Sequence, residues 1–253
     1  MTDAPPDRRP LSRAWLIAPL VLALAAAAAW TVYWFIARDR LLQAVDQQAA
    51  AHRKEGRIVE WRARRVNGFP FRFKLVFDEL RLASPSGWAV QTPRFEAQAT
   101  AYQLTRWVGA TPQGLTLVRP VAGPVRIEGR VLRASVGGAD RTPPRVSLEG
   151  ADVRFTPLPG AEPFLLAGAE RIEAHLRPAP DAADTAALLL RVRAARPRPA
   201  GVMAFVSGAR PANFVWDSRI TELDEVDGEN WSAAARRWAQ AGGRMEIREA
   251  TLQ

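Results

Sequence analysis

Apolar and polar positions follow two different patterns along this chain. The first pattern is an uncharged, almost wholly apolar run from Ala14 to Ala37, with arginines at both edges. As a helix, this run would be about 36 Å long at roughly 1.5 Å per residue. A bilayer core needs only about 20 residues. We therefore predict a transmembrane anchor over residues 14–37, preceded by a cytoplasmic tail over residues 1–13.

The residues at the end of this run favour an uncleaved anchor. Trp30, Tyr33 and Trp34 lie together there and are followed by Arg38 and Arg40, as interfacial side chains do at a membrane–water boundary. The alternative is a cleaved signal peptide, because the N-terminal tail is basic. The apolar region of a signal peptide usually spans only about 7 to 15 residues. We expect these five residues to fix the helix at the membrane surface.

The charges that flank the run give conflicting indications of its orientation. Residues 38–57 carry more basic groups than the short N-terminal tail, which would place the C-terminal side in the cytoplasm. Long domains, however, translocate largely regardless of charge. We expect a single-pass protein of the bacterial inner membrane, with the bulk of the chain in the periplasm.

After the anchor, helical spacing gives way to strict alternation. Apolar residues from Leu41 to Ala49 follow the spacing of a helix, so we predict a juxtamembrane helix over residues 38–56 that Gly56 can end. From Ile58 to Val66 the period is two, and Asn67-Gly68 follows. This dipeptide between two alternating segments is a strong hairpin signal.

The segment after Asn67-Gly68 carries large apolar residues at every odd position. These residues are Phe69, Phe71, Phe73, Leu75 and Phe77. They predict a half-buried strand, and Pro70 indicates either the start of a strand or a sheet edge, since proline cannot donate to a ladder. If this face is uncovered, the five residues would line an apolar groove for acyl chains or for another protein. The alternative is that they are ordinary core.

Alternation returns several times further along the chain. Turn-forming Pro and Gly residues separate the segments. The predicted strands are Glu79 to Ala83, Phe95 to Tyr102, Val125 to Val136, Arg145 to Phe155, Glu170 to Arg177 and Leu188 to Ala194. A late segment from Trp231 to Ala241 has helical spacing, with Asn230 as its cap and Gly242-Gly243 after it. Met245 then begins another strand.

Together these elements predict a β-rich α+β fold. A single N-terminal transmembrane helix is followed by an elongated, mainly antiparallel β-sheet domain with one or two packing helices. This periplasmic domain would occupy residues 57–253. Because the chain stops directly after a strand, we expect either a strand at a sheet edge or a chain that is truncated at its C-terminus.

Composition narrows the classes of function. The chain has no cysteine, which excludes disulfides and thiolate metal sites. Its formal net charge is +9, but the arginines alternate with apolar residues instead of clustering with aromatic ones. We therefore expect no nucleic-acid partner, and a basic surface on a tethered domain is better suited to anionic lipid headgroups.

The chemistry of an enzyme is scarce in this sequence. The only histidines are His52 and His175, and neither lies in a metal-ligand spacing. The acidic group between Glu222 and Glu229 lacks the ligand order of a calcium loop and indicates a solvated loop. We expect no catalytic residues, no metal and no cofactor, and thus no enzyme.

One segment carries a family resemblance. The stretch Asn67-Gly68-Phe69-Pro70-Phe71-Arg72-Phe73, with an N-terminal anchor before it and a tryptophan helix that leads into Gly242-Gly243, resembles an uncharacterised family of alphaproteobacterial envelope proteins, domain-of-unknown-function family 2125. That family is distantly similar to the AsmA-like proteins, which carry a β-rich periplasmic body behind an inner-membrane anchor. The resemblance implies phospholipid handling or envelope maintenance, by analogy of fold alone. A scaffold that tethers another envelope protein is the alternative.

Overall fold

A long N-terminal helix precedes the sheet. The computed structural model describes residues 13–138, 143–179, 184–198, 210–223 and 231–253. Helix α1 spans Arg13–Lys54 without a break, so the predicted anchor and the predicted juxtamembrane segment form one helix. Gly56 follows in a turn with φ +76°, a conformation that glycine adopts at little cost. Within the part of the chain that is described, α1 is the one helix long and apolar enough to cross a bilayer.

The rest of the described chain is dominated by strands. They are β1 Ile58–Glu60, β2 Ala63–Asn67, β3 Arg72–Ala83, β4 Ala89–Thr100, β5 Gln103–Ala110, β6 Leu115–Arg119, β7 Gly123–Glu128, β8 Val131–Gly137, β9 Arg145–Pro157, β10 Leu166–Pro178, β11 Ala186–Pro197, β12 Ala212–Ile220 and β13 Met245–Leu252. A second helix, α2, spans Trp231–Gln240 and lies between β12 and β13.

All the strands join one antiparallel sheet of 13 strands. Its main order is β1-β3-β4-β5-β8-β9-β10-β11-β12-β13. At three places, two short strands lie end to end and pair with successive parts of one longer strand. These pairs are β1 and β2 along β3, β5 and β6 along β4, and β7 and β8 along β9. The chain therefore meanders up and down across the sheet, which confirms the predicted β-rich antiparallel fold.

Several predicted boundaries are wrong in detail. The segment Ile58 to Val66 is divided into two strands at Trp61 and Arg62, and Val125 to Val136 is divided at Gly129 and Arg130. The hairpin at Asn67 exists, but residues 68–71 form its turn, so β3 begins at Arg72. Strands β5, β6 and β12 have no counterpart in the sequence prediction. In β12 and β6 apolar residues are adjacent, as Phe214, Val215 and Trp216 are, and β5 has few large ones, so alternation is weak.

The two faces of the sheet differ in chemistry. In the register between β3 and β4, Phe73, Leu75 and Phe77 lie opposite Ala99, Ala97 and Phe95. On the other face of the same pair, Lys74 lies opposite Gln98, and Asp78 opposite Arg94. Because residues directly opposite each other share a face, one face is apolar and the other is charged. We call them the apolar face and the charged face.

Backbone kinks in β3 and β9 keep the apolar face of the sheet continuous. In β3, the apolar positions change from odd, ending at Phe77, to even, beginning at Leu80, and Glu79 between them has φ +54°. In β9, the apolar positions are even before Asp152, which has φ +53°, and odd after it, beginning at Val153. The pairing registers of β3 with β4 and of β9 with β10 are the same on both sides of each kink. The kinks thus shift the alternation of side chains without a slip between the strands.

The C-terminal elements agree with the predicted helix and strand. Helix α2 has the predicted position, and Gly242 follows it with φ +89°. The proposed cap, Asn230, lies outside the described residues, as does most of the acidic segment between Glu222 and Glu229. Strand β13 is the last strand in the sheet order and pairs with β12.

Candidate functional site

The predicted apolar stripe on β3 is mostly covered. Phe73 is 1% exposed, and Leu75 and Phe77 are also buried, in a cluster that includes Trp34, Leu41 and Leu42 of α1. The indole of Trp34 stacks on Phe73, with their ring centroids 5.2 Å apart. At these three positions the stripe is core and not an open groove, because α1 crosses the apolar face over β2, β3 and β4.

The other two residues of the stripe lie outside this core. Phe69 and Phe71 belong to the turn between β2 and β3 and are 50% and 65% exposed. Pro70 lies in the same turn, and β3 is an interior strand flanked by β2 and β4. Pro70 therefore marks the start of a strand and not a sheet edge, which corrects the second of the two interpretations of this proline.

An open apolar groove lies beside the covered stretch. It crosses the apolar face at the middle of the strands, from the second half of β3 to β10, and has a volume of about 430 Å³. The large apolar side chains along it are Leu80, Leu82, Val90, Phe95, Leu115, Ile127, Leu132, Leu148, Val153, Phe155 and Ile172. We call this the central groove. Leu82 and Leu148 are 40% and 50% exposed, and among the described residues no helix packs over them.

Almost no polar group faces into the central groove. The hydroxyl of Thr92 donates to the backbone oxygen of Gly114 at 2.8 Å, so it is already satisfied. Arg133 and Glu149 border the groove through their backbones, while their side chains pair with each other on the charged face, with 2.5 Å between Nη2 and Oε2. The groove thus offers contact area with little directional bonding, which suits a hydrocarbon chain better than a polar metabolite.

A second recess adjoins the central groove near the turn between β3 and β4. It has a volume of about 380 Å³ and shares Leu82 and Val90 with the groove. Trp88, which is 46% exposed, lines it together with His52 near the end of α1 and Arg57 just before β1. Arg57 and His52 both lie near the carboxylate of Glu55, at 3.5 Å and 3.2 Å. The recess therefore places polar groups close to one end of the apolar central groove.

The five predicted interface residues of α1 have different environments. Trp30 donates through Nε1 to the carbonyl of Pro70 at 2.9 Å, and Trp34 donates in the same way to Arg72 at 3.2 Å. Tyr33 is 44% exposed. The structure thus holds both tryptophans against the sheet, with Trp34 inside the core.

The two arginines that follow are also placed differently from each other. Arg38 has a buried Nε without a hydrogen-bond partner in the described chain, and its Nη1 lies 4.0 Å from Asp39. The side chain of Arg40 is exposed. Arg40 is therefore the one whose charge is free to meet a headgroup.

Ion pairs join neighbouring strands on the charged face behind the covered stretch. The carboxylate of Glu96 lies 2.8 Å from Lys74 Nζ and 2.7 Å from Arg94 Nε, and Asp78 pairs with Arg65 at 2.5 Å. The hydrogen bond from Lys74 lowers the pKa of Glu96, and Arg94 adds to this effect, while partial burial opposes it. These pairs tie β2, β3 and β4 together on the face that is opposite the groove.

The histidines have ordinary partners. His52 lies 3.2 Å from Glu55, and Nδ1 of His175 lies 3.0 Å from the hydroxyl of Ser147 on the charged face. The described residues contain no group of three or more side chains that could hold a metal ion. Among the described residues, the central groove is thus the most distinctive candidate site.

The sequence also matches a known protein family. A family described as an uncharacterized protein conserved in bacteria, DUF2125, matches residues 34–253. The chain belongs to this family. The match begins at Trp34, so it covers the β-sheet body and most of the part of α1 that packs on it, while Trp30 and Tyr33 lie just before the matched residues. No curated protein and no solved structure gives a significant match.

The sequence prediction missed the residues that line the central groove. Many of them lie inside predicted strands, but the alternation places the candidate groove at the stripe from Phe69 to Phe77, with ordinary core as the alternative. A usable signal was the change from odd to even apolar positions at Glu79, because Leu80 and Leu82 then continue the apolar face. The alternation does not predict the path of α1, and this path determines which part of the apolar face is covered.

Proposed function

We propose that this protein is anchored in the bacterial inner membrane by α1 and that its sheet holds the acyl chain of a phospholipid in the central groove. Its role would be lipid handling or maintenance of the cell envelope from the periplasmic side. The observation that carries this proposal is the central groove itself, which is apolar along its length and open beside the covered core.

The size and lining of the groove support an acyl chain as its ligand. A volume of about 430 Å³ falls in the range of roughly 300–1,000 Å³ that is usual for ligand sites. Each buried methylene group contributes about 0.8 kcal/mol, so an aliphatic tail gains affinity along its length. A groove without directional polar groups binds tails with little selectivity for their chemistry, which is suited to handling lipids as a class.

The position of the groove also supports this function. Helix α1 connects the apolar run directly to the sheet, with no linker between them. The sheet is therefore held next to the membrane from which a lipid would come. We propose no catalytic step. Of the polar residues that line the groove, Glu149 is paired with Arg133, and the hydroxyl of Thr92 is engaged with backbone oxygens.

Photo-crosslinking tests this function. The full-length chain would be reconstituted in vesicles that contain a phospholipid with a photoactivatable acyl chain, and the lipid adducts would be mapped by mass spectrometry. We expect adducts on β3, β4, β8 and β9 at residues of the central groove. Adducts confined to the apolar run of α1 would contradict the proposal.

A matched pair of variants makes the test specific. Leu148 lies on the apolar face of β9, and Leu189 lies on the charged face of β11, opposite His175 and Asp217. Leu148→Gln places an unpaired amide against the acyl chain, which costs about 1–3 kcal/mol, so crosslinking in the groove should fall about tenfold. Leu189→Gln makes the same change on the other face and should leave crosslinking unchanged. Equal effects of the two substitutions would rule out the groove as the site.

A second candidate function is a scaffold for an envelope protein. The observation in its favour is β13, a terminal strand whose Met245 and Ile247 are 49% and 52% exposed. An exposed sheet edge can accept a strand from a partner. If this function is correct, Ile247→Lys should abolish crosslinking to a co-purifying protein, while Leu148→Gln should leave it intact.

A further inference from the structure

Two turns of the sheet meet α1 at the same point along the helix. The turn at residues 68–71 joins β2 to β3, and the turn at residues 101–102 joins β4 to β5. Trp30 Nε1 donates to the carbonyl of Pro70 at 2.9 Å, and the hydroxyl of Tyr33 donates to the carbonyl of Ala101 at 3.4 Å. Both turns are thus fixed against α1 within one helical turn of each other.

The position of these contacts along α1 sets the depth of the turns relative to the bilayer. Trp30 and Tyr33 lie at the C-terminal end of the apolar run, shortly before Arg38. In a membrane-spanning helix, Trp and Tyr at such a position lie in the headgroup region. The backbone oxygens to which they donate must therefore lie at nearly the same depth.

The side chains on the two turns fit such a depth. Phe71 and Tyr102 are 65% and 77% exposed, and Phe69 is 50% exposed while its ring lies 6.1 Å from that of Phe35 on α1. Large aromatic side chains at turn tips are unfavourable in water, since turns usually carry small or polar residues. In the headgroup region, the same rings gain burial and keep their polar ends hydrated.

The nearby charges match a lipid surface. Arg72, at the start of β3, is exposed, and so is Arg40, which follows the interfacial aromatic residues of α1. Neither arginine has a carboxylate partner among the ion pairs of the described residues. Cations at this level attract the phosphates of anionic lipids, at about 1 kcal/mol for each Lys or Arg near the surface.

We propose that the β-sheet body docks on the bilayer through these two turns, with Phe69, Phe71 and Tyr102 inserted among the headgroups. The partner of this surface is the lipid surface itself. The protein would then hold its sheet by three contacts with the membrane, the helix and two turns, so that the sheet cannot swing about α1. This inference requires α1 to span the membrane, but it does not require the central groove to bind lipid.

Single-cysteine labelling tests this docking. The chain contains no cysteine, so Phe71→Cys and Tyr102→Cys each give one reactive site on the full-length protein. The control is Val121→Cys, because Val121 is 94% exposed in the turn between β6 and β7, at the opposite end of the strands. The variants would be reconstituted in vesicles of phosphatidylcholine and phosphatidylglycerol, and their reaction with a membrane-impermeant maleimide would be followed.

The expected result is a difference between the two ends of the sheet. Cysteines at 71 and 102 should react at least about tenfold more slowly than the cysteine at 121, since a thiol among headgroups is shielded from an aqueous reagent. A polarity-sensitive fluorophore at 71 or 102 should be quenched by doxyl-labelled lipids, and the same probe at 121 should not. Equal reaction rates and equal quenching at all three positions would overturn the inference. Circular dichroism of each variant verifies that the sheet has folded.

Discussion

The apolar face of the sheet has a covered stretch and an open stretch, and the two have the same pattern of alternation. In the covered stretch, Phe73, Leu75 and Phe77 are each less than 10% exposed beneath α1. In the open stretch, Leu82 and Leu148 are 40% and 50% exposed along the central groove. The helix covers the first set of residues and does not extend over Leu148. Other residues along the groove are buried without it, since Val153 and Phe155 are 2% and 8% exposed in a cluster that includes Phe164. The exposed positions, such as Leu148, are the ones that offer a binding surface.

The two stretches also differ in the kind of side chain they use. The covered stretch is rich in aromatic rings that stack across the helix–sheet contact, as Trp34 does on Phe73. The open stretch is mainly aliphatic, with Leu, Val and Ile along the groove. Aromatic pairs contribute about 0.5–1.5 kcal/mol beyond their burial, which fixes the helix in one position. Aliphatic side chains form a smoother surface against which a flexible tail can slide.

The largest expected effect comes from removing the ring that closes the covered stretch. Trp34→Ala deletes a side chain that is 3% exposed and leaves a cavity against Phe73, so it should lower the free energy of unfolding by about 3–5 kcal/mol. Leu148→Ala, in the open stretch, should lower it by less than about 1 kcal/mol, because half of that side chain is already solvated. Urea unfolding of the full-length chain in detergent micelles, followed by circular dichroism, measures both. Similar losses in the two variants would show that the open stretch is covered in solution.

A smaller effect is expected at the kink between the two stretches. Glu79 has φ +54°, a conformation in which a β-branched side chain is strained. Glu79→Val should therefore lower the free energy of unfolding by about 1–2 kcal/mol, while Glu79→Gly should be tolerated. The same urea unfolding of the two variants measures the difference.

Glu60 provides a matched control for this kink. It is also 61% exposed and also pairs with an arginine, but its φ is not in the positive region. Glu60→Val should cost much less than Glu79→Val. If the two valine substitutions lower the free energy of unfolding by the same amount, the positive φ at Glu79 is not a conformational requirement of the kink that keeps Leu80 and Leu82 on the apolar face.

The smallest effect is expected on the charged face behind the covered stretch. Because the hydrogen bond from Lys74 lowers the pKa of Glu96 in the folded protein, the stability it provides is present above the ordinary glutamate pKa of about 4.3 and is lost as the pH falls through the lowered value. Glu96→Gln should lower stability by at most about 1 kcal/mol at pH 7, since the partners are partly exposed. In thermal unfolding, the difference from the unmodified protein should shrink as the pH falls below the ordinary glutamate pKa and through the lowered value.

The charged face also provides a check on the groove. Glu96→Gln should not change acyl-chain crosslinking in the central groove, because its side chain lies on the opposite face of the sheet. A loss of crosslinking in this variant, with stability preserved, would indicate that the ligand contacts both faces.

Much of the fold could be predicted from the sequence because local patterns determine it. The apolar run over residues 14–37 is uncharged over a membrane's thickness, and a helix is the form in which it satisfies its own backbone. Alternation at Phe73, Leu75 and Phe77 assigned those residues to one face, and the structure confirms it. Asn67 does end a strand before a hairpin turn.

Other features depended on contacts between residues that are far apart in the chain. Where a strand breaks, as at Trp61 or at Gly129, is decided by how its neighbours kink, and the alternation within the strand itself gives a weak indication. Strands with small or mixed residues, such as β5 from Gln103 to Ala110, were missed because alternation is visible only when the two sets of side chains differ strongly.

The sequence by itself determined an apolar helix, an amphipathic sheet and a chain without the usual catalytic motifs, since each of these follows from the order of side chains along a few neighbouring residues. Only the tertiary structure decided which part of the apolar face is core and which part is the central groove. The physical reason is that burial depends on what crosses the strand. The path of α1 over β3, fixed by Trp34 and Phe73, ends before it reaches the surface around Leu148.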